Sequence, residues 1–247
     1  MEYILRNIRS SVACVVCVTC LTITAPAFGQ EQTPNIFKST LNDFRNLPST
    51  NNLTWLTIGG AIAATGQMKD WDVTQSFSAA RMRGTFDAGE TIGGARAQIA
   101  GALATYTVGR VIKHKKVTSV GSELIRAQIV AQAMTAGIKL AARRHRPDGG
   151  EFSFPSGHTS VTFATATVLQ RNFGWKAGIP GYALASYVAA SRVNVKRHFF
   201  SDVAFGATIG IVAGRTVTIG SGRARFAVSP SASPSHAGLS FTLIGAN

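Results

Sequence analysis

Two histidines, an aspartate and several basic residues recur between residues 139 and 202 at intervals that suit chemistry on a phosphate group. Three short segments carry them: KLAARRHRP (139–147), PSGH (155–158) and SRVNVKRHFFSD (191–202). Phosphoryl transfer needs cations and N–H donors around the equatorial oxygens, an in-line nucleophile and a proton donor for the leaving oxygen. Because these residue types can supply all three, the stretch is the candidate active site.

The first two segments could bind an anion at helix ends. Lys139 and Arg146 are seven residues apart, which places them on one face of a helix if it runs that far. Ser156 is suited to cap a following helix, whose first-turn N–H groups form an anion site, and Gly157 lets the backbone approach a ligand closely. His158 would project from the same turn. Taken separately, these patterns also fit a solvated basic helix end and ordinary capping.

The third segment contains the strongest pair. His198 and Asp202 are four residues apart, so on a helix the carboxylate can accept a hydrogen bond from one imidazole nitrogen. That contact would fix the tautomer and leave the other nitrogen free as a nucleophile. A surface His–Asp pair with no catalytic role is the alternative interpretation of these two residues alone.

In this order and at this spacing, the three segments resemble the signature of the type 2 phosphatidic acid phosphatase and vanadium haloperoxidase superfamily, which includes bacterial class A acid phosphatases. The signature is Lys-x6-Arg-Pro, Pro-Ser-Gly-His and Ser-Arg-x5-His-x3-Asp, and the chain fills every position. The match covers residues 139–202, about a quarter of the chain. Only residues 148–154 separate the first two segments, which is short for the family and affects the loop beside the site rather than the chemistry.

The resemblance implies a role for each signature residue. His198 would attack phosphorus to form a phosphohistidine, Asp202 would orient it, and His158 would protonate the leaving alkoxide and then activate water. The phosphate oxygens would be held by five residues: Lys139, Arg146, Ser156, Gly157 and Arg192. No metal would be required, since the cations neutralise the developing charge. Four nearby basic residues match no signature position and are not assigned to the site: Arg143, Arg144, His145 and Arg197.

Hydrophobic patterning favours helices through most of the chain. Six segments have helical character: 53–65, 92–113, 123–144, 156–171, 180–193 and 198–217. Gly206, Gly210 and Gly214 recur every four residues, which predicts that another helix backbone approaches this face closely. The resemblance likewise implies an all-α helical bundle of the acid phosphatase and vanadium haloperoxidase type.

The chain divides into four predicted regions: a signal peptide (1–29), an extended lead-in (30–51), a helical phosphatase domain (52–220) and an accessory tail (221–247). Within the domain, residues 70–73 are predicted to form a turn and residues 87–91 a loop. The tail is predicted to be irregular or β-like, with a hairpin across residues 229–237.

The first 29 residues have the pattern of a secretory signal. Arg6 and Arg9 precede a short apolar run at residues 12–23, and small residues follow at a plausible cleavage site before Gln30. The pattern predicts an exported, periplasmic or extracytoplasmic protein; a retained membrane anchor is the alternative. All three cysteines lie inside this segment, so disulfides are excluded from the mature chain.

The charge balance predicts an anionic partner. The net charge is +14 with a pI near 10.6, and removing residues 1–29 lowers the charge by one to +13. An anionic membrane surface and phosphorylated small molecules both fit. Nucleic acid is disfavoured, because the basic run at residues 113–116 has no interleaved aromatics or recognisable reader motif. A mean hydropathy of +0.15 favours soluble or peripheral attachment over integral insertion.

Three functions remain from sequence. The first is a phosphatase acting on a terminal phosphate, as a phosphomonoester or diphosphate, of a membrane lipid or a small molecule. The second is a vanadate-dependent haloperoxidase using the same residues, in which vanadate would be the cofactor rather than an inhibitor. The third is a basic binding protein with a decayed site, which the intact signature disfavours.

Overall fold

The computed structural model describes residues 35–78, 83–219, 225–233 and 236–244. These form ten helices and a hairpin: α1 (Ile36–Asn46), α2 (Thr50–Gln67), α3 (Asp70–Phe77), α4 (Arg83–Phe86), α5 (Ala88–Gly93), α6 (Ala95–Val111), α7 (Lys115–Ala142), α8 (Gly157–Phe173), α9 (Trp175–Asn194), α10 (Phe200–Val217), β1 (Arg225–Ser233) and β2 (His236–Ile244). The predicted helical class with a β-like tail is confirmed, and the two strands pair antiparallel. The predicted signal peptide lies outside the described residues.

Small side chains dominate the core, which lies between α6, α7, α8 and α10. Its buried members include Ala127 and Ala131 of α7, Ala164 of α8 and Ala213 of α10, each fully buried. Side chains of this size let helix backbones approach closely, so packing in this bundle depends on fit rather than on bulky residues.

The glycine stripe of α10 packs directly on the backbone of α8, as predicted. A Cβ added at Gly206 would lie 2.7 Å from the carbonyl oxygen of Ser156, and one at Gly210 would lie 2.4 Å from that of Ser160. Since Ser156 precedes the first turn of α8, this close approach sets the position of the PSGH segment against α10.

Replacing Gly210 by alanine is expected to lower the free energy of unfolding by about 1–3 kcal/mol, because the new methyl group overlaps backbone atoms that cannot rotate away. The matched control is Gly101→Ala on the exposed side of α6, where nothing lies within 4 Å of the added Cβ. That variant should gain up to about 1 kcal/mol from helix propensity. Chemical denaturation measures both; equal stabilisation of the two variants would contradict the close packing.

Three predictions about local structure were wrong. Helix α1 lies within the segment predicted to be extended, and helices α3 and α5 occupy the predicted turn and loop. In the first case Pro34 and Pro48 flank α1 rather than interrupt it, and the Asn35 side chain caps it by accepting from the N–H of Phe37 at 3.0 Å. The polar composition therefore reflected a short capped helix.

Tertiary contacts hold α1 against the bundle. Arg126 of α7 donates two hydrogen bonds from Nη1 to the Asp43 carboxylate, at 2.9 and 2.8 Å, and one from Nη2 to the Val217 carbonyl at 2.7 Å. Asp43 and Arg126 are both buried. An arginine 83 residues away is not visible in the local pattern around Asp43, which explains why sequence periodicity missed this helix.

Helix boundaries also shifted near the candidate site. Helix α10 begins at Phe200, so His198 precedes the helix instead of lying inside it. Helix α9 begins at Trp175, which places Pro180 in the helix rather than in its first turn. Ile129 and Leu140 of α7 are exposed.

Large apolar side chains are exposed on three helices that have few or no charges along their middle. They are Leu53, Ile58 and Ile62 of α2, Ile99, Leu103 and Val108 of α6, and Trp175, Ile179 and Leu184 of α9. None of the helices in the described part of the chain combines the length and the apolar character needed to cross a membrane.

Candidate active site

All three sequence segments meet at one end of the bundle, where the C-termini of α7 and α9 face the N-termini of α8 and α10. The Ser156 N–H donates to the Asp202 carbonyl at 3.0 Å, and the His198 N–H donates to the Arg192 carbonyl at 3.2 Å. The Lys139 ammonium donates to the carbonyl of Phe152 in the short loop between the first two segments. Backbone contacts thus bring the predicted residues together.

His198 is held in one orientation, but its direct partner differs from the prediction. Its Nδ1 lies 2.7 Å from the Ser153 carbonyl oxygen and 3.7 Å from Oδ2 of Asp202. A carbonyl only accepts hydrogen bonds, so Nδ1 carries the proton and Nε2 keeps its lone pair. Burial lowers the pKa of His198, and the charges of Lys139 and Arg146 add to this despite the opposing carboxylate. The ring is therefore neutral and nucleophilic at Nε2.

Asp202 is a fully buried carboxylate with several donors around it. Oδ2 accepts from the Phe199 N–H at 2.8 Å and from the Ser153 hydroxyl, and Oδ1 accepts from Arg144 Nη1 at 2.7 Å. Burial alone would raise its pKa, but the adjacent His198 ring, hydrogen bonds from the Ser153 hydroxyl and the Phe199 N–H, and the charge of Arg144 hold the pKa below its ordinary value. The group is ionised and able to stabilise an imidazolium.

His158 lies at the first turn of α8 in a strongly cationic environment. Burial lowers its pKa to about 4, and the charge of Arg192 contributes to this. His158 is therefore neutral at pH 7. A bound phosphate would offset the positive charge around His158 and raise this pKa.

The predicted phosphate-binding cations have unused donors. The Nε groups of Arg146 and Arg192 are buried and form no hydrogen bond with any residue that the structure describes. Burial of an unpaired guanidinium N–H is costly unless an anion completes it. Lys139 is also partly buried, and this burial, with the charge of Arg146, lowers its pKa to about 8. All three remain cationic at neutral pH.

Ser156 and Gly157 occupy the positions predicted for them. Ser156 is the fully buried N-cap of α8, and its Oγ accepts from the Thr159 N–H at 3.5 Å and from the Thr159 hydroxyl at 3.0 Å. Gly157 opens the helix, and a Cβ there would touch only a methyl group of Thr135 at 3.7 Å. The positive end of the α8 dipole therefore faces the other cations.

Four residues near the site occupy no position of the signature: Asp70, Glu90, Arg144 and Ser153. Glu90 of α5 lies 3.5 Å from Nη1 of Arg192. Ser153 contacts both His198 and Asp202. Arg144 forms ion pairs with both Asp70 and Asp202. Only the run of three basic residues at 143–145 could have drawn attention to Arg144.

Comparison with known proteins gives a match over the region of the chain that carries the candidate site. Residues 121–225 match the family model described as the PAP2 superfamily. The chain is 37% identical over 97 residues to a lipid A 1-phosphatase of Porphyromonas gingivalis, covering 38% of this chain and 22% of that protein. It is 35% identical over 107 residues to a decaprenylphosphoryl-5-phosphoribose phosphatase of Mycobacterium tuberculosis, covering 39% and 59%. The chain thus spans less than two thirds of the length of these curated relatives.

A solved structure shares the fold. The crystal structure of LpxE from Aquifex aeolicus superposes with a TM-score of 0.52 at 20% sequence identity, covering 61% of this chain and 94% of that one. Residues 121–225 thus match the PAP2 superfamily model, and the solved structure shares the helical fold.

Proposed function

We propose that this chain is a phosphatase that removes a terminal phosphate, as a phosphomonoester or diphosphate, from a membrane lipid through a phosphohistidine intermediate and without a metal ion. One observation carries the proposal. Buried guanidinium donors of Arg146 and Arg192 lack partners among the described residues, beside an imidazole whose Nδ1 proton is already engaged. A tetrahedral phosphate fits this set, because it offers oxygens to the cations and phosphorus to Nε2.

In the proposed first step, Nε2 of His198 forms a bond to phosphorus as the bond to the leaving oxygen breaks. His158 gives its proton to that oxygen, and Asp202 stabilises the positive charge that develops on His198. In the second step, His158 takes a proton from water, the water oxygen attacks phosphorus, and the nitrogen–phosphorus bond breaks. Lys139, Arg146 and Arg192 neutralise the equatorial oxygens throughout, in the place that a metal ion takes in other phosphatases.

A lipid substrate is supported by two independent features. Two curated relatives are named for activities on phosphorylated lipids, a lipid A and a decaprenyl phosphate derivative. The exposed apolar side chains of α2, α6 and α9 would also favour contact with a membrane, and the net charge of +14 suits an anionic surface. We therefore propose that the enzyme acts at a membrane, and the predicted signal peptide favours the extracytoplasmic side.

A substrate panel tests this function. Purified full-length protein is expected to release phosphate from lipid monophosphates or diphosphates in mixed micelles faster than from soluble esters, with activity unchanged by EDTA. Vanadate, which resembles the transferring phosphoryl group, is expected to inhibit. Peroxide-dependent halide oxidation by vanadate-loaded protein, with no phosphate release beforehand, would contradict the proposal. Preference for soluble esters would contradict the lipid part alone.

Membrane attachment is tested separately by fractionation. The full-length chain is expected in the membrane fraction after a high-salt wash, because apolar contact resists salt whereas purely electrostatic binding does not. Release by salt alone would indicate attachment through charge, and recovery in the soluble fraction would contradict membrane attachment.

A further inference from the structure

Arg144 stands behind the reacting histidine rather than among the phosphate-binding residues. Its Nη1 donates to Asp202 Oδ1 and to the Ser201 hydroxyl, both at 2.7 Å, and its Nη2 donates to Asp70 Oδ2 at 2.8 Å. Asp202 presents its other oxygen, Oδ2, to His198. The guanidinium and the imidazole therefore lie on opposite sides of one carboxylate.

The Arg144 main chain also contacts the residue that supplies the direct acceptor of His198, the Ser153 carbonyl. The Arg144 carbonyl accepts from the Ser153 N–H at 2.7 Å, and the Ser153 carbonyl in turn accepts from His198 Nδ1. Arg144 therefore contacts both residues whose oxygens face this nitrogen. Its carbonyl binds the Ser153 N–H, and its guanidinium binds the Asp202 carboxylate. A displaced guanidinium would loosen the carboxylate directly and the loop through Phe199, whose ring it covers at 4.3 Å.

Asp70 braces this arrangement from another helix. It opens α3 and is almost fully buried, and its Oδ1 accepts from the Ser201 N–H at 2.9 Å. Its Oδ2 accepts from the Ser201 hydroxyl as well as from Arg144. Asp70 therefore caps the first turn of α10, the turn that carries Asp202, and balances the charge of Arg144.

The exposed part of Arg144 faces away from the phosphate-binding residues. It lines a cavity of about 370 Å³ together with Gly60, Ala63 and Ala64 of α2 and Phe154. None of the five predicted phosphate-binding residues lines this cavity. Contact with substrate phosphate is therefore not the role its surroundings favour.

We propose that Arg144, braced by Asp70, is a positioning residue that holds the Ser153 carbonyl and the Asp202 carboxylate facing His198 Nδ1 and so keeps Nε2 free and aimed for attack. In the catalytic cycle this inference rests on the phosphatase function proposed above. The orientation of His198 in the resting protein does not depend on it, and the two can be tested apart.

Kinetics provide the first test. Arg144→Gln is expected to lower kcat about 10- to 100-fold, as loss of a supporting residue does at other sites, with KM and the inhibition constant of inorganic phosphate within about threefold of wild type. Arg144→Lys should recover part of kcat, and Asp70→Asn should lower it less than Arg144→Gln. The matched control is Arg143→Gln, which removes the same charge from an exposed neighbour whose Nε donates to the Leu140 carbonyl.

A direct readout of the imidazole provides the second test and needs no activity. Ring ¹⁵N spectra of His198 are expected to show the Nδ1-protonated tautomer in wild type and Arg143→Gln, and a mixture of tautomers in Arg144→Gln. Unchanged ring signals in a folded Arg144→Gln protein would overturn the proposal. So would a rise in KM and in the phosphate inhibition constant as large as that of Arg146→Gln, since that would make Arg144 a phosphate-binding residue. If wild type hydrolyses nothing but the tautomer still shifts, the proposed function fails and the positioning role stands.

Discussion

His198→Ala is expected to lower kcat by at least about 10⁴-fold on every substrate that the chain hydrolyses, because it removes the atom that bonds to phosphorus. No other described side chain near the site offers a neutral nitrogen with a donor bond that fixes its tautomer. Rapid-quench experiments with a ³²P-labelled substrate should trap an acid-labile, base-stable phosphoenzyme in wild type and none in the variant.

The matched control is His145→Ala. His145 is exposed and precedes Arg146, and it occupies no signature position. Its removal should leave kcat within about twofold, and thermal unfolding of both variants would show that the site is intact. A phosphoenzyme that persists in a folded His198→Ala protein would assign the nucleophile to another residue.

His158→Ala is expected to lower kcat by about 10²–10⁴-fold for an alkyl phosphate, the range typical of general acid–base catalysis. With an aryl phosphate such as p-nitrophenyl phosphate the formation of the phosphoenzyme should suffer far less, since that leaving group departs without a proton. Single-turnover rates on the two substrates separate this first step from the hydrolysis that follows. Equal losses in the phosphoenzyme-forming step on both would indicate that His158 binds phosphate and does not act as an acid.

The pKa values of the site predict an acidic optimum. His158 has a pKa of about 4 in the free protein, and a phosphomonoester loses its second proton near pH 6. The productive complex carries one proton shared between them, so kcat/KM should be highest between about pH 4 and 6 and fall on either side. The Lys139 ammonium, with a pKa of about 8, remains charged over this range. A kcat/KM that rises steadily through pH 8 would contradict this assignment.

The candidate site could be located from the sequence because each of its side chains sits at or beside a helix end. Lys139 closes α7, Ser156 caps α8, Arg192 ends α9 and Asp202 opens α10. A few residues of local sequence specify such positions, through Pro147 after a helix or a serine before one. The close packing of the α10 glycines could equally be predicted from sequence, because residues four apart lie on the same face of a helix.

The second layer of the site could be found only in the folded chain. Asp70 reaches Ser201 across 131 residues, and it lies on α3, where the local sequence predicts a turn. Ser153 acts partly through its carbonyl, which every residue possesses, so no residue type could signal it. Spacing alone assigned the His198 proton to Asp202, but the start of α10 at Phe200 leaves that carboxylate at 3.7 Å and brings the loop carbonyl to 2.7 Å. The candidate reacting residues could thus be identified from their local spacing, whereas their orientation depends on contacts between helices that are distant in sequence.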